Sequence, residues 1–281
     1  MKRRPDRALL LLAPPLLLFV AFGAARVDAP VSLIGLLFDR PVDFALAATA
    51  LVSGGAVLMF VPPVERRIAG VFAPSREPEP AERERLERLL GELGQRSRIK
   101  TGRLILRVQD SEQLNAAAGA AHLLFVSEAA MRLPDPELEA LLAHELGHHR
   151  GMHPIVTAMV WWLSLPGEAL AWAYRALRGV VLRLSHRVRV LAIAAQILVI
   201  AWQVAVMWLY YVGKLLALRA ARVSEYLADR AAADWGYAHQ LSTLYASLGE
   251  APPGGLMARL TAADHPPMQQ RLERLAGREA T

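Results

Sequence analysis

Three uncharged apolar stretches, residues 8–25, 44–61 and 190–213, constrain this chain more than any other feature. Each is long enough to cross a bilayer core as a helix, which takes roughly 17–25 residues. The first follows Lys2, Arg3, Arg4 and Arg7, and the second is followed closely by Arg66 and Arg67. Basic residues at membrane-helix ends stay in the cytoplasm, so both of these ends face inward and the loop 26–43 faces outward. Pro14 and Pro15 kink the first segment. The small residues Gly23, Ala24 and Ala25 at its end also fit a cleaved signal peptide. Either reading delivers residue 64 onward to the cytoplasm, since the second segment alone would enter from outside.

Composition narrows the chemistry. The 281 residues are 54% hydrophobic and 21% charged, which excludes a disordered polar chain. A net charge of +6, with basic residues at the edges of apolar runs, points to lipid headgroups and not to nucleic acid, for which no motif is present. There is no cysteine. Disulfides, thiolate metal ligands, iron–sulfur clusters and a cysteine nucleophile are therefore excluded, and any metal must be held by His, Asp or Glu.

The run Ala73–Pro80 (Ala-Pro-Ser-Arg-Glu-Pro-Glu-Pro) separates an N-terminal membrane region, 1–72, from a soluble part. Residues 81–93 read as a charged helix with Leu86, Leu89, Leu90 and Leu93 on one face. Leu104, Leu106 and Val108 alternate as in a half-buried strand, and 122–126 form a second, more apolar one. The first part of the soluble domain covers 73–153, a hydrophobic helical hairpin 154–218, and the second part of the domain 219–281.

Leu133-Pro134-Asp135-Pro136-Glu137 marks a helix start, with Asp135 as the expected cap and Pro136 at the first helical position. That helix runs into His144-Glu145-Leu146-Gly147-His148. At 3.6 residues per turn His144 and His148 share a face and can offer two imidazoles to one zinc, while Glu145 lies close enough to act as a base toward water. In a chain of this composition the pattern arises by chance about 0.014 times. His149 and His153 lack ligand spacing and are expected at solvent or an interface.

A catalytic zinc needs a third protein ligand and an open position. Glu225 and Asp229, one helical turn apart in Arg222–Arg230, offer a ligand and a carboxylate to orient a ligand imidazole, or else a plain acidic pair on an exposed helix.

His-Glu-Leu-Gly-His at 144–148, Ser-Glu-Tyr-Leu-Ala-Asp-Arg-Ala-Ala at 224–232 and Asp-His-Pro-Pro-Met-Gln-Gln-Arg-Leu at 264–272 together resemble the HtpX-like and CAAX-prenyl-protease superfamily of membrane zinc peptidases. Asn115-Ala116-Ala117-Ala118-Gly119 looks like the segment that precedes the zinc motif there. The resemblance runs in order from Leu104 to Leu275. It implies a mainly α membrane protein with a small α+β zincin-like catalytic domain and one Zn2+ per chain. Glu225 is then the third zinc ligand, and the Asn115-Ala116 segment an edge strand that pairs with an extended peptide. His265 and Arg271 are implied as an oxyanion or substrate clamp. The implied partners are membrane-associated protein or peptide substrates and lipid, with no nucleic acid and no small-molecule cofactor.

Because His148 and Glu225 must meet at one ion, the chain between them crosses the bilayer an even number of times. Residues 190–213 are a clear span, while 154–173 are interrupted by Pro166-Gly167-Glu168. Two crossings would put Arg175, Arg178, Arg183, Arg187 and Arg189 outside, against the positive-inside rule; the alternative is a hairpin leaning on the inner leaflet. The four-span arrangement matches the resemblance. The expectation is a multi-pass inner (plasma) membrane endopeptidase with a cytoplasmic active site, acting in HtpX-like quality control on membrane or misfolded proteins. A signal-transducing membrane metallopeptidase and an inactive membrane scaffold stand as the rival readings.

Overall fold

The computed structural model describes residues 57–159, 219–248 and 266–279, with isolated helical positions at 54, 55, 162, 193 and 197. The chain divides into two compact units, one of residues 1–11, 57–158 and 218–281, the other of 12–56 and 159–217. In the second unit the described positions are helical, and Ile193 and Ile197 are exposed. Among the described residues no helix is long and apolar enough to cross a membrane. The span expected at 8–25, all of 190–213 but Ile193 and Ile197, most of 44–61 and most of the hairpin at 154–218 lie outside the described residues.

The first unit is helix-rich with one small sheet, compatible with a zincin-like domain. Helix α1 (Pro62–Phe72) begins directly after the second apolar run, with proline in its first turn. Helix α2 (Pro80–Ser97) is started by a capping box between Glu79 and Glu82 and stopped by Arg98 in the left-handed region at φ 56°. Its leucines Leu86, Leu89, Leu90 and Leu93 are buried, and the helix continues one turn beyond the span their pattern marks.

Strands β1 (Ile105–Gln109), β2 (Ala116–Gly119) and β3 (Leu123–Ser127) form a sheet in the order β1-β3-β2. The central strand β3 is parallel to β1 and antiparallel to β2. Leu106, Leu124 and Val126 face the main core with the α2 leucines, and Ile105, Leu123 and Phe125 on the opposite face are buried too. Helix α1 packs on β1 and β3. The strict alternation expected in β1 is therefore softened, because both faces of the sheet are covered.

A short helix α3 (Glu128–Met131) follows, capped by Ser127, whose hydroxyl accepts from the Ala130 N–H at 3.1 Å. Helix α4 (Asp135–Arg150) carries the histidine motif, and all but five of its residues are buried. Asp135 does not cap it. The helix starts from Pro134, and the Asp135 carboxylate is taken by Arg85 at 2.8 Å and Arg88 at 2.6 Å, both on α2. Two guanidinium groups some fifty residues upstream outcompete the local cap. Helix α5 (219–234), helix α6 (Ala238–Leu248) and helix α7 (Met268–Glu279) complete the unit. α6 packs on both α4 and α7.

Candidate metal centre

Helical spacing on α4 places His144 and His148 with ring centroids 4.7 Å apart and Nε2 atoms 3.2 Å apart. Glu225 on α5 completes a triangle of side chains, with Oε2 at 3.5 Å from His144 Nε2 and Oε1 at 3.4 Å from His148 Nε2, and one donor atom from each of the three residues lies within 4.8 Å of the others. A tetrahedral zinc with bonds of about 2.0–2.1 Å separates its ligand atoms by about 3.3–3.4 Å, close to the 3.2 Å between the two Nε2 atoms and to the distance of each from a Glu225 oxygen. A cation between the three side chains satisfies all of these close approaches at once. Two imidazoles and a carboxylate without thiolate are the donor set of a hydrolytic zinc. Among the described residues no other group of three His, Asp or Glu side chains converges in this way.

Behind this triangle lies a network of charges. Asp229, one turn after Glu225 on α5, holds Oδ1 at 2.9 Å from His144 Nδ1. Its other partners are the Tyr245 hydroxyl, which donates to Oδ1 at 2.8 Å, and Arg271, whose Nε and Nη2 donate at 2.8 and 2.6 Å. Arg271 also pairs with Glu225 Oε2 through Nη1 at 3.0 Å, and its guanidinium lies over the Tyr245 ring, 4.3 Å from the centroid. Burial pushes the Asp229 carboxyl up, but the Arg271 and His144 partners outweigh it and bring the pKa down to about 2. Burial pushes His144 down, and hydrogen bonds to Asp229 and Glu225 reverse this and raise it to about 10. Asp229 therefore holds its charge, and its contact with His144 Nδ1 turns Nε2 toward the triangle.

Glycine at 147 is what lets α4 and α5 come this close. A Cβ there would lie 2.8 Å from Ala228 Cα and 2.9 Å from its carbonyl oxygen, so the two helices touch backbone to backbone. That contact sits between the two ligand-bearing helices, one residue from His148.

Glu145 faces two ways. Its Oε1 lies 4.0 Å from His144 Nε2, and its Oε2 accepts the Ala118 N–H of β2 at 2.7 Å. Burial raises its pKa, and the neighbouring His148 and His144 act against that. Strand β2 is an outer strand of the sheet. The Asn115 carbonyl accepts from the Ser127 N–H and the Asn115 N–H donates to Ser127 Oγ, so in the antiparallel register the main-chain groups of 117 and 119 turn toward β3. Those of Ala116 and Ala118 turn outward, on the side where Glu145 stands.

The structure thus brings together His144, Glu145, His148, Glu225, Asp229 and Arg271, and sets Asn115 and Ala116 at the start of the edge strand beside Glu145. His265 lies outside the described residues. The family resemblance implies Arg271 as part of a clamp on oxyanion or substrate; here its nitrogens engage Asp229 and Glu225, behind the ligands. His149 and His153 differ from expectation, being only 4% and 5% exposed. His149 Nε2 contacts the Leu123 carbonyl at 3.0 Å and ties α4 to β3, while His153 Nδ1 lies 3.4 Å from His148 Nδ1. The burial of His149 follows from the packing of β3 on the end of α4. Tyr245 was not found from sequence, because a tyrosine beside Leu241 and Leu244 on an amphipathic helix reads as core.

Comparison of the sequence with protein families gives a match to the model of peptidase family M48 over residues 80–279. No curated protein matches the chain.

Proposed function

This chain belongs to peptidase family M48 and is a metallopeptidase, and from that premise we propose that it is a membrane-anchored zinc endopeptidase that cuts extended polypeptide at a cytoplasmic active site. The observation that carries the zinc reading is the convergence of His144, His148 and Glu225, whose Nε2 atoms lie 3.2 Å apart with a Glu225 oxygen within 3.5 Å of each. Zinc, when bound, supplies a Lewis acid that polarises the scissile carbonyl and acidifies water.

The chain's own residues do the rest. Glu145, buried and with raised proton affinity, takes the proton from the attacking water and hands it to the leaving amine. Asp229 keeps His144 in the tautomer that presents Nε2, and Arg271 with Tyr245 holds Asp229 and Glu225 in place. The outward N–H and C=O of Ala116 and the C=O of Ala118 accept an extended peptide as a further strand. Strand addition reads the main chain and leaves side-chain choice open, which suits a protease acting on many sequences. His265, by the resemblance to HtpX-like peptidases, stabilises the developing oxyanion.

The apolar runs before the histidine motif and between it and Glu225 support a site held close to the bilayer, with exposed segments of membrane or misfolded proteins as substrates. The test uses the full-length chain in detergent with an unfolded protein as substrate. Wild type cleaves and holds about one zinc, while Glu145→Gln holds the same zinc and does not cleave. If neither protein binds zinc, the reading is wrong; if both bind it and neither cleaves any unfolded substrate, the chain is not a broad endopeptidase.

A further inference from the structure

Glu65, on the first turns of α1, is fully buried, at 0% exposure. A carboxylate in that position is costly unless its oxygens are matched by donors. Here they are matched by one short segment, the turn joining β2 to β3. Oε1 accepts the Ala121 N–H at 2.6 Å and the His122 N–H at 3.1 Å, and Oε2 meets His122 Nδ1 at 2.5 Å. A carboxylate only accepts, so Nδ1 carries the hydrogen in this pair.

The turn needs such a brace. Ala120 sits at φ 43°, in the left-handed region that a residue with a Cβ disfavours, and β2 is only four residues long and made of Ala, Ala, Ala and Gly. Side chains this small offer little packing to fix the strand, so its position depends on its two ends. At the start, Asn115 is held by Ser127. At the finish, the turn is held by Glu65, fifty-six residues away in sequence from Ala121. From the other side, His149 grips the Leu123 carbonyl that follows the turn.

We propose that Glu65 is a positioning residue for peptide binding: by anchoring the β2–β3 turn it sets the height and tilt of the edge strand against Glu145 and the ligand triangle. The inference rests on the reading of β2 as the strand that accepts substrate. It goes beyond it in giving the task of aligning that strand to a helix that begins at the end of the second apolar run. Glu65 touches neither substrate nor ligand residues; it acts through Ala121 and His122, and through them on the outward groups of Ala116 and Ala118.

The experiment compares wild type with Glu65→Gln and with the milder His122→Ala, each full length, zinc-loaded and purified in detergent. Each is assayed on an extended peptide and on the same peptide N-methylated at one non-scissile position. Zinc content and melting temperature are measured alongside, and only variants matching wild type in both are scored. In wild type, N-methylation raises KM about tenfold if the peptide pairs as a strand, one lost hydrogen bond corresponding to roughly a tenfold change. The expected result is that Glu65→Gln raises KM for the plain peptide several-fold, leaves kcat within about twofold, and shrinks the N-methyl penalty, since a misplaced strand has less pairing to lose. His122→Ala, which removes one of the three bonds, gives the same pattern at smaller amplitude. An undiminished penalty in both variants with unchanged KM overturns the role of Glu65 while leaving strand addition intact. No N-methyl penalty in wild type overturns strand addition itself. If Glu65→Gln does not reach the scoring condition, His122→Ala alone decides between these outcomes.

Discussion

The two walls of the metal centre are built from opposite materials. On one side α5, α6 and α7 set Asp229, Tyr245 and Arg271 behind the ligands, every one of them buried and tied to at least one of the others. On the other side β2 offers three alanines and a glycine, and it meets the centre through the Ala118 N–H on Glu145. The first wall has its charges matched internally and is made to keep a geometry. The second leaves main-chain groups turned outward and is made to receive a chain. Division of this kind lets a hydrolytic site be rigid where the metal is held and permissive where the sequence of the substrate varies.

Glu145 bonds the second wall through Ala118 and stands 4.0 Å from the ligand nitrogen of His144, and removing its basicity gives the largest effect. Glu145→Gln lowers kcat by about 10²–10⁴-fold with zinc content unchanged, as read by steady-state kinetics and metal analysis. Damage to the rigid wall shows first in the metal. Asp229→Ala leaves Arg271 buried without its main partner, which costs about 3–5 kcal/mol in denaturant unfolding, and weakens zinc affinity about 10–100-fold in chelator competition. A zinc affinity equal to wild type in that variant would show that the wall supports the fold and not the site.

Spacing between the ligand helices comes next. Gly147→Ala forces α4 and α5 apart and costs about 1–3 kcal/mol, with zinc affinity falling in step. The smallest effect is that of Tyr245→Phe, which removes one hydrogen bond to Asp229 while keeping the ring under Arg271; about 0.5–1.5 kcal/mol is lost, and KM for peptide does not change. A change of KM in this last variant would mean that the two walls are not separable.

Which parts of this arrangement can be read from sequence follows from how far apart the partners lie in the chain. The pairing of His144 with His148 and the leucine face of α2 are set by helical periodicity over a few residues, and they stand where that periodicity puts them. The apolar β3 is recognisable for the same reason. Asp135 misleads, because its local signature is that of a cap, while its actual partners sit on α2. His149 misleads in the same manner, since its burial depends on the packing of β3 against the end of α4, which the pattern of neither segment announces. Glu65 and Tyr245 carry no signal at all in sequence. An isolated Glu after a proline pair reads as a helix start, and the partners that give these two residues their meaning lie 56 and 16 positions away. Arg271 was found through a motif, but a motif gives neighbourhood and not direction, and the direction it takes is toward the carboxylates.

The contact at Gly147 has a consequence at the level of the gene. Glycine is encoded by GGN, and every single-base change that alters the residue brings in a side chain with a Cβ. At most surface positions one of those replacements would pass unnoticed. Here each of them meets the Ala228 backbone inside 3 Å, so no residue-changing neighbour of the codon is harmless. Drift at this position is open only to compensated pairs, in which the α5 backbone opposite shifts at the same time.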